Sequence, residues 1–338
     1  MKRVKLSQVA ELAGVSEITA SRALRNGANV APQTQKKVAE AAQQLGYLPN
    51  RIAGSLAGAT SNQIGVIVPS LTNNVFPQVL QGLESRLTAA GYHTILGVSD
   101  YLPEREEVMI RTILAWRPAA LVIGTAGLTG ISRKMLEQAD VPIVEIMDCD
   151  IEPIDMAAGI SQVQAGKAIG YYLTGRGYER LAYIGHDLEA DRRAGKRREG
   201  FLAAARETGA TITAELTAPA PSSVALGREL TARLLAEAQD RPQAICYSND
   251  DMAVGGIFHC MAAGLDVPGD LAICGFNGLD IGQQLPCPLT TIESGRTGIG
   301  EQAAAMILSR FHGTPTPTRL DTGFRLLRGL RREGMGLL

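Results

Sequence analysis

The sequence predicts a small all-α headpiece built on a helix-turn-helix, followed by an α/β core of two doubly wound parallel-sheet lobes. Three observations carry that expectation. Apolar residues recur at helical spacing through residues 6–45, with glycines where helices should end. From residue 63 onward, β-branched runs alternate with amphipathic segments, the grammar of a parallel sheet covered by helices. Charge is also unevenly shared: residues 1–60 hold eight Lys and Arg against three acidic residues, a net +5, so −6 falls on the rest of a chain whose total is −1. A basic head on an acidic body suits a phosphate-binding module fused to another domain.

Leu6, Val9, Ala10 and Ala13 mark the first helix, and Gly14 ends it by accepting the positive φ of a helix terminus. Val15 is expected at a buried corner. Ser16 suits the N-cap of a second helix, and Glu17 its positive end. Ile18 and Leu24 are expected to form that helix's apolar side, with Ala20 and Ala23 beside them. Small Ala10 lets the two helices cross closely. A second helix so placed is the one that enters the major groove. Residues 32–46 read as a third helix. Pro32 fits its first turn, and Val38, Ala41, Ala42 and Leu45 form its buried stripe. Lys36 and Lys37 lie off that stripe, free to meet phosphates.

Residues 50–58 are helix-capable but shorter than the roughly 12–15 residues an isolated helix needs in water. Such a segment is ordered only when something holds it. The expected boundaries are a headpiece at 1–48, a hinge helix and linker at 49–61, and a core at 62–338. In the core, strands are expected at 63–69, 94–98, 120–124, 142–147, 181–185, 244–248 and 271–276. Helices are expected at 76–90, 104–116, 165–175, 197–209, 226–239 and 251–263. Open α/β sheets bind ligands beyond the C-terminal ends of their strands, so a small molecule is expected in the cleft between the lobes.

Several function classes are disfavoured. The chain is 45% hydrophobic and 20% charged, ordinary for a soluble protein. No apolar run approaches the roughly 20 residues of a membrane span. Met1-Lys2-Arg3-Val4-Lys5 has no apolar segment behind it, so a cytoplasmic location is expected rather than secretion. The five cysteines contain no C-x-x-C pair and read as buried thiols. His93, His186, His259 and His312 are scattered without ligand spacing, so neither metal nor cofactor is expected. Gly124, Gly127 and Gly130 form G-x-x-G-x-x-G after the third strand, not the dinucleotide G-x-G-x-x-G after the first. With no G-x-S-x-G and no P-loop, a Rossmann-type or sugar-binding enzyme is a remote alternative, and the chain is not expected to be an enzyme. A transport receptor would lack the headpiece.

The chain resembles the LacI family of bacterial transcriptional regulators over essentially its whole length. The motifs that carry the likeness begin with Val9-Ala10, Ala13-Gly14-Val15-Ser16, Thr19 and Ser21-Arg22, followed by Leu45-Gly46-Tyr47, Pro49-Asn50 and Ala53. Further along they are Asn73-Asn74-Val75-Phe76, Arg197, Gly200-Phe201, Asn249-Asp250, Gly275-Phe276-Asn277 and Leu289-Thr290-Thr291-Ile292. The resemblance implies a core like periplasmic sugar-binding proteins and a homodimer on a pseudo-palindromic double-stranded operator, with an effector in the cleft. On this likeness the first lobe takes about 62–159 and 291–320, and the second about 160–290 and 321–338. Val144-Glu145-Ile146-Met147-Asp148 and Leu320-Asp321 resemble the gluconate-repressor branch, which implies gluconate or a related sugar acid as effector. Regulators of another carbohydrate pathway, or ones needing a corepressor, are the alternatives.

The resemblance also implies site residues. Glu17, Ile18 and Arg22 match base-reading positions. Arg22 pairs with a guanine or a phosphate, Glu17 accepts from cytosine or serves as a helix N-terminal charge, and Ile18 packs on a thymine methyl. Ser16, Thr19, Ser21 and Asn26 are expected on phosphates. Asn50, Arg51 and Ala53 complete the DNA-facing set with Leu56, which is either a minor-groove wedge or a dimer contact. Val75 and Phe76 are expected to line the cleft, Phe76 stacking on a sugar face. Arg197, joined by Arg193, supplies the guanidinium an anion needs. Arg192 and Arg198 fit a solvated charged turn. Asn249 and Asn277 are the remaining cleft candidates, with Asp250 expected to cap the following helix. Glu145 and Asp148 are read either as effector contacts or as strand-end residues.

Overall fold

The computed structural model describes residues 4–24, 30–48, 61–72, 74–125 and 127–329, and the chain divides into two compact units, Met1–Ser61 and Asn62–Leu338. The first holds α1 (Leu6–Ala13), α2 (Glu17–Leu24) and α3 (Pro32–Leu45). Its buried core is Val9, Ala10, Ala20, Ala23, Val38, Ala41 and Ala42. Five of those seven residues are alanines, so the helices approach closely around a small core. Gly14 and Gly46 end α1 and α3 in the left-handed region, at φ 68° and 63°. Ser16 Oγ accepts the Thr19 amide at 3.2 Å and so caps α2.

Two expectations for this unit change. Ile18 is not on the apolar side of α2 but is 66% exposed. Ala20, Ala23 and Leu24 define the inward face at i, i+3 and i+4, and Ile18 sits two residues earlier, about 200° around the helix. Val15 is half-buried rather than buried.

In the second unit, one sheet has the order β11-β5-β4-β3-β1-β2. Its strands are β1 (Gln63–Val68), β2 (His93–Val98), β3 (Ala120–Ile123), β4 (Ile143–Asp148), β5 (Met156–Ile160) and β11 (Arg319–Asp321), all parallel. The second sheet runs β7-β6-β8-β9. It is built from β6 (Arg180–Gly185), β7 (Thr211–Thr217), β8 (Ala244–Tyr247) and β9 (Ala272–Cys274), again all parallel. A short antiparallel pair, β10 (Thr291–Glu293) and β12 (Arg325–Leu327), belongs to neither. Buried strands of this kind need both faces covered by helices. The covering helices are α4 (Val75–Ala89), α5 (Pro103–Ala115), α6 (Gly130–Glu137), α7 (Gln162–Gly175), α8 (Arg192–Thr208), α9 (Val224–Glu237), α10 (Asp250–Ala262), α11 (Asp280–Gln283) and α12 (Arg296–Phe311).

Three helix pairs meet through reciprocal glycines. A methyl at Gly82 of α4 would lie 2.0 Å from the Thr297 carbonyl of α12, and one at Gly300 of α12 2.0 Å from the Val79 carbonyl of α4. Gly166 of α7 and Gly200 of α8 stand in the same relation to Arg197 O at 2.0 Å and Val163 O at 2.1 Å. Gly227 of α9 and Gly255 of α10 do so against Met252 O and Val224 O, both at 2.1 Å. Backbone therefore packs on backbone at each crossing. The α7–α8 pair fixes the helix that carries Arg193 and Arg197.

The sequence reading misses β5, β7, α6, α12 and the short C-terminal strands. β7 is an edge strand of half-exposed residues, Thr211–Thr217, with no apolar run to mark it. In α12, Gly298 and Gly300 mask a helix, since glycine disfavours one by about 1 kcal/mol relative to alanine. The structure also starts α8 at Arg192 rather than 197, so the charged stretch is the first turns of a helix and not a loop.

Candidate functional site

A cleft of about 430 Å³ lies beyond the C-terminal ends of strands from both sheets. Pro69 and Ser70 follow β1, Tyr101 follows β2, His186 follows β6, Asn249 follows β8, and Phe276 and Asn277 follow β9. Backbone strain gathers here. Among the described residues, five non-glycine positions have positive φ, and four of them (Asp100, Tyr101, Met147 and Asn277) line this cleft. Such conformations persist where the surroundings over-determine them, commonly at ligand sites.

Arg193 and Arg197 enter from the first two turns of α8, four residues apart and so on one face. Asp191 caps that helix, its carboxylate accepting the Ala194 amide at 3.3 Å. Arg197 donates to Gln162 Oε1 at 2.8 Å and to the Ser248 carbonyl at 3.2 Å, and its guanidinium lies 4.1 Å from the Phe276 ring centroid. Arg193 stands 3.6 Å from the Asp191 carboxylate and 5.6 Å from the Phe76 ring centroid. His186 links Ser248 Oγ at 2.8 Å to Asp191 at 3.5 Å. Burial opposes the Asp191 charge. The His186 hydrogen bond and the two guanidinium charges outweigh it and hold the carboxyl far below its ordinary range. Burial lowers the Arg197 pKa, with the Asp191 charge opposing the shift.

Three buried donors around this cleft have no partner: Arg193 Nη1, Arg197 Nε and Ser294 Oγ. Buried polar groups are nearly always satisfied, and an exception calls for an explanation such as an absent ligand. Guanidinium donors, several hydroxyls and the carboxylates of Asp100, Asp187, Asp191 and Asp251 share one small volume. That combination can hold a compact, polyhydroxylated anion.

The structure brings Val75, Phe76, Arg193, Arg197, Asn249 and Asn277 together on this cleft. Phe76 changes role: it is 1% exposed and its ring sits under Arg193, so it supports the guanidinium instead of offering a face to a sugar. Glu145 and Asp148 do not line the cleft. They border a smaller cavity of about 300 Å³, where Glu145 accepts the Ile154 amide at 2.8 Å and Asp148 pairs with Lys196 at 2.6 Å. Met147 (φ 81°) breaks the strand's alternation and takes the cleft position between them. Asn249, rather than Asp250, caps α10, accepting the Met252 amide at 3.1 Å. Asp250 instead turns inward to the Thr291 hydroxyl at 2.7 Å and the Leu279 amide at 2.6 Å. Arg198 bonds Glu215 at 2.8 Å, and Arg192 is exposed.

His186, Asp191, Gln162, Tyr101, Met147 and Ser294 were not foreseen. His186 and Tyr101 were findable, since each follows a strand at its C-terminal end. Gln162 and Ser294 follow β5 and β10, strands that the sequence reading misses, and so escaped the same rule.

Glu106, behind Arg193, is buried at 5% exposure and accepts the Thr125 hydroxyl at 3.1 Å. Burial pushes its pKa up to about 7, against the pull of that hydrogen bond and of Arg193. Burial likewise raises Asp250 to about 6. The folded chain therefore holds protons that the unfolded chain has already released, and this cost to folding is present at pH 8 and fades on acidification toward pH 5. The melting temperature is expected to rise as pH falls from 8 to 6. Glu106→Gln should raise it at pH 8 and flatten the trend. An unchanged slope in that variant would show that Glu106 is not the group responsible.

In the headpiece, Glu17, Ile18 and Arg22 are all exposed, and Ile18 and Arg22 share a face at i, i+4. Ser16 Oγ is occupied by the Thr19 amide and lies 2.9 Å from the Thr19 hydroxyl. Ser21 and Thr19 are half-buried. Asn26, Asn50, Arg51, Ala53 and Leu56 lie outside the described residues. Among the described residues no helix is long and apolar enough to cross a membrane, and no group of three or more His, Cys, Asp or Glu is placed to hold a metal ion.

Comparison with known proteins bears on both units. Residues 5–50 match the model for bacterial regulatory proteins of the lacI family, and residues 171–327 that for the periplasmic binding protein-like domain. The HTH-type transcriptional regulator GntR of Escherichia coli K12 is 37% identical over 97% of this chain and 98% of its own length. A crystal structure of a LacI-family transcriptional regulator from Silicibacter pomeroyi superposes with a TM-score of 0.91 at 38% identity, covering 96% of this chain and 98% of that one. The lac repressor dimer bound to operator and an anti-inducer superposes with a TM-score of 0.86 at 26% identity, covering 97% and 98%.

Proposed function

The chain belongs to the LacI family of bacterial regulatory proteins, DNA-binding transcriptional regulators rather than enzymes, and we propose that this member is a cytoplasmic homodimeric repressor of a sugar-acid utilisation operon. On this reading a sugar acid such as gluconate binds the cleft and releases the operator. The observation that carries it is the buried Arg193–Arg197 pair, with Nη1 of one and Nε of the other left without partners, on a cleft where the Ser294 hydroxyl is also without one. A carboxylate satisfies guanidinium donors with charge-assisted hydrogen bonds, and the surrounding Asp side chains suit the hydroxyls of the same molecule. The similarity to GntR supports the same class of effector.

In the headpiece, Arg22 takes the base-reading role, with Ile18 against a thymine methyl and Glu17 on the same helix. Leu56 and its neighbours Asn50, Arg51 and Ala53 form the hinge, at 49–61 between a 1–48 headpiece and the core. The effector shifts the hinge only through its different affinity for the bound and released forms.

The test is a thermal-shift panel of sugar acids and neutral sugars on the full chain, paired with operator release followed by fluorescence anisotropy. An acid is expected to raise the melting temperature and to release DNA at the same concentrations. If a neutral sugar does both and no acid does, the acid-lined cleft serves a neutral carbohydrate and the sugar-acid reading fails.

A further inference from the structure

A separate cavity of about 600 Å³ lies where β10 gives way to α12 and where β11 ends. Among the described residues, none that lines it also lines the cleft. Gln78 of α4, the start of α12 and Asp321 of β11 are among its walls. Two independent observations point to a bound anion. The first is the end of α12, a helix of 16 residues that starts from Gly295 (φ 59°) with no side chain capping its first amides. Such an end offers free N–H groups and partial positive charge. The second is Arg296, which lines the cavity and is 6% exposed. Its Nε donates to Gln78 Oε1 at 2.8 Å and its Nη1 to the Asn277 carbonyl, while Nη2 has no hydrogen-bond partner among the described residues. No acid lies within ion-pair distance of it among those residues, although a buried arginine is normally paired. Burial lowers the Arg296 pKa, opposed by the charges of Asp250 and Glu293, neither of which is close enough to pair with it.

Two acids also line the cavity. Glu293 is engaged by Arg325 at 2.8 Å. Asp321 is exposed, accepts the Gly323 amide at 2.9 Å and has no cation within ion-pair distance among the described residues. One cavity thus holds a cation that lacks an anion and an anion that lacks a cation. We propose that it is a binding site for a free amino acid, with the carboxylate on Arg296 and the first amides of α12 and the ammonium on Asp321. A zwitterion satisfies both poles with charge-assisted hydrogen bonds, whereas a plain carboxylate leaves Asp321 unpaired and a plain amine leaves Arg296 so. Gly298 supplies the space, since nothing lies within 4 Å of a methyl built there. The site is independent of the sugar-acid reading of the cleft.

The test is the melting temperature of the full chain with each of the twenty standard L-amino acids, followed by isothermal titration of the one with the largest shift. Propionate and ethylamine, which carry the carboxylate or the ammonium alone, are the controls. One or more amino acids are expected to raise the melting temperature and to bind about tenfold tighter than either control, the worth of one charge-assisted hydrogen bond. Asp321→Asn, a change at an exposed residue, should erase the advantage over propionate. Gly298→Asp puts a carboxylate in the first turn of α12, where there is room for it and the helix end favours it. That variant should keep the native melting temperature and lose amino-acid binding. The site is overturned if no amino acid shifts the melting temperature, if propionate binds as tightly as the best amino acid, or if either variant binds it as the native chain does.

Discussion

Arg197→Ala is expected to weaken sugar-acid binding by about a hundredfold, while the unliganded protein still binds operator. The guanidinium is tied to Gln162, Ser248 and the face of Phe276, and its Nε has no partner. Charge-assisted hydrogen bonds of this kind contribute roughly 1.5–3 kcal/mol each, and removal also disturbs Gln162, whose amide otherwise donates to the Met147 carbonyl at 2.6 Å. The variant also leaves the buried Asp191 carboxylate short of one counter-charge, which should cost on the order of a few kcal/mol of stability. Arg197→Lys separates the two effects: it restores charge near Asp191 without the planar fork, so the melting temperature should recover more than the affinity does. The measurements are titration calorimetry for the acid, anisotropy for the operator, and scanning calorimetry for the fold. If Arg197→Ala released operator at the native acid concentration, the arginine would have no part in effector binding.

The second large effect is expected at a residue that touches no ligand. Gly166→Ala would place a methyl 2.0 Å from the carbonyl of Arg197, so α7 and α8 must separate. Overpacking of this kind costs about 1–3 kcal/mol where side chains can yield. Here the obstacle is backbone, and the cost should sit at the upper end. Because the displaced backbone is that of Arg197 itself, acid affinity should fall together with the melting temperature. Gly298→Ala in α12 is the control. Nothing lies within 4 Å of its added methyl, and the change should be neutral or stabilising by about 0.5–1 kcal/mol. Equal effects from the two substitutions would refute the close-packing account. If Gly166→Ala lost stability but kept full affinity, the α7–α8 crossing would matter to the fold and not to the position of Arg197.

Much of the molecule was legible before its structure. The helix-turn-helix followed from Val9, Ala10, Gly14 and Ser16, because helix spacing and caps are local properties that neighbours within a few residues decide. The alternation of core strands and helices was equally readable, because buried parallel strands have to be apolar on both faces. Arg197 was a candidate through the resemblance to the LacI family, and Arg193 joined it from four residues earlier on the same helical face.

Other features depended on contacts between distant residues. Ile18 was placed with the core on hydrophobicity alone, yet the inward face of α2 is set by where α1 and α3 press against it, and alanines fill that space. Glu145 and Asp148 could be read in the sequence either as effector contacts or as strand-end residues. The positive φ of Met147 turned the end of β4 so that it, and not they, faces the cleft. Gly300 reads as a helix breaker in one dimension and is a close-packing residue in three. Sequence by itself determined the headpiece helices, most of the core's strands and helices, and the charge asymmetry, since these arise from local propensity and residue type. Tertiary structure decided which side chains converge, with His186, Asp191, Gln162 and Ser294 gathered around Arg193 and Arg197 from separate strand ends and helix starts. That convergence depends on packing distances and backbone angles, which no local pattern encodes.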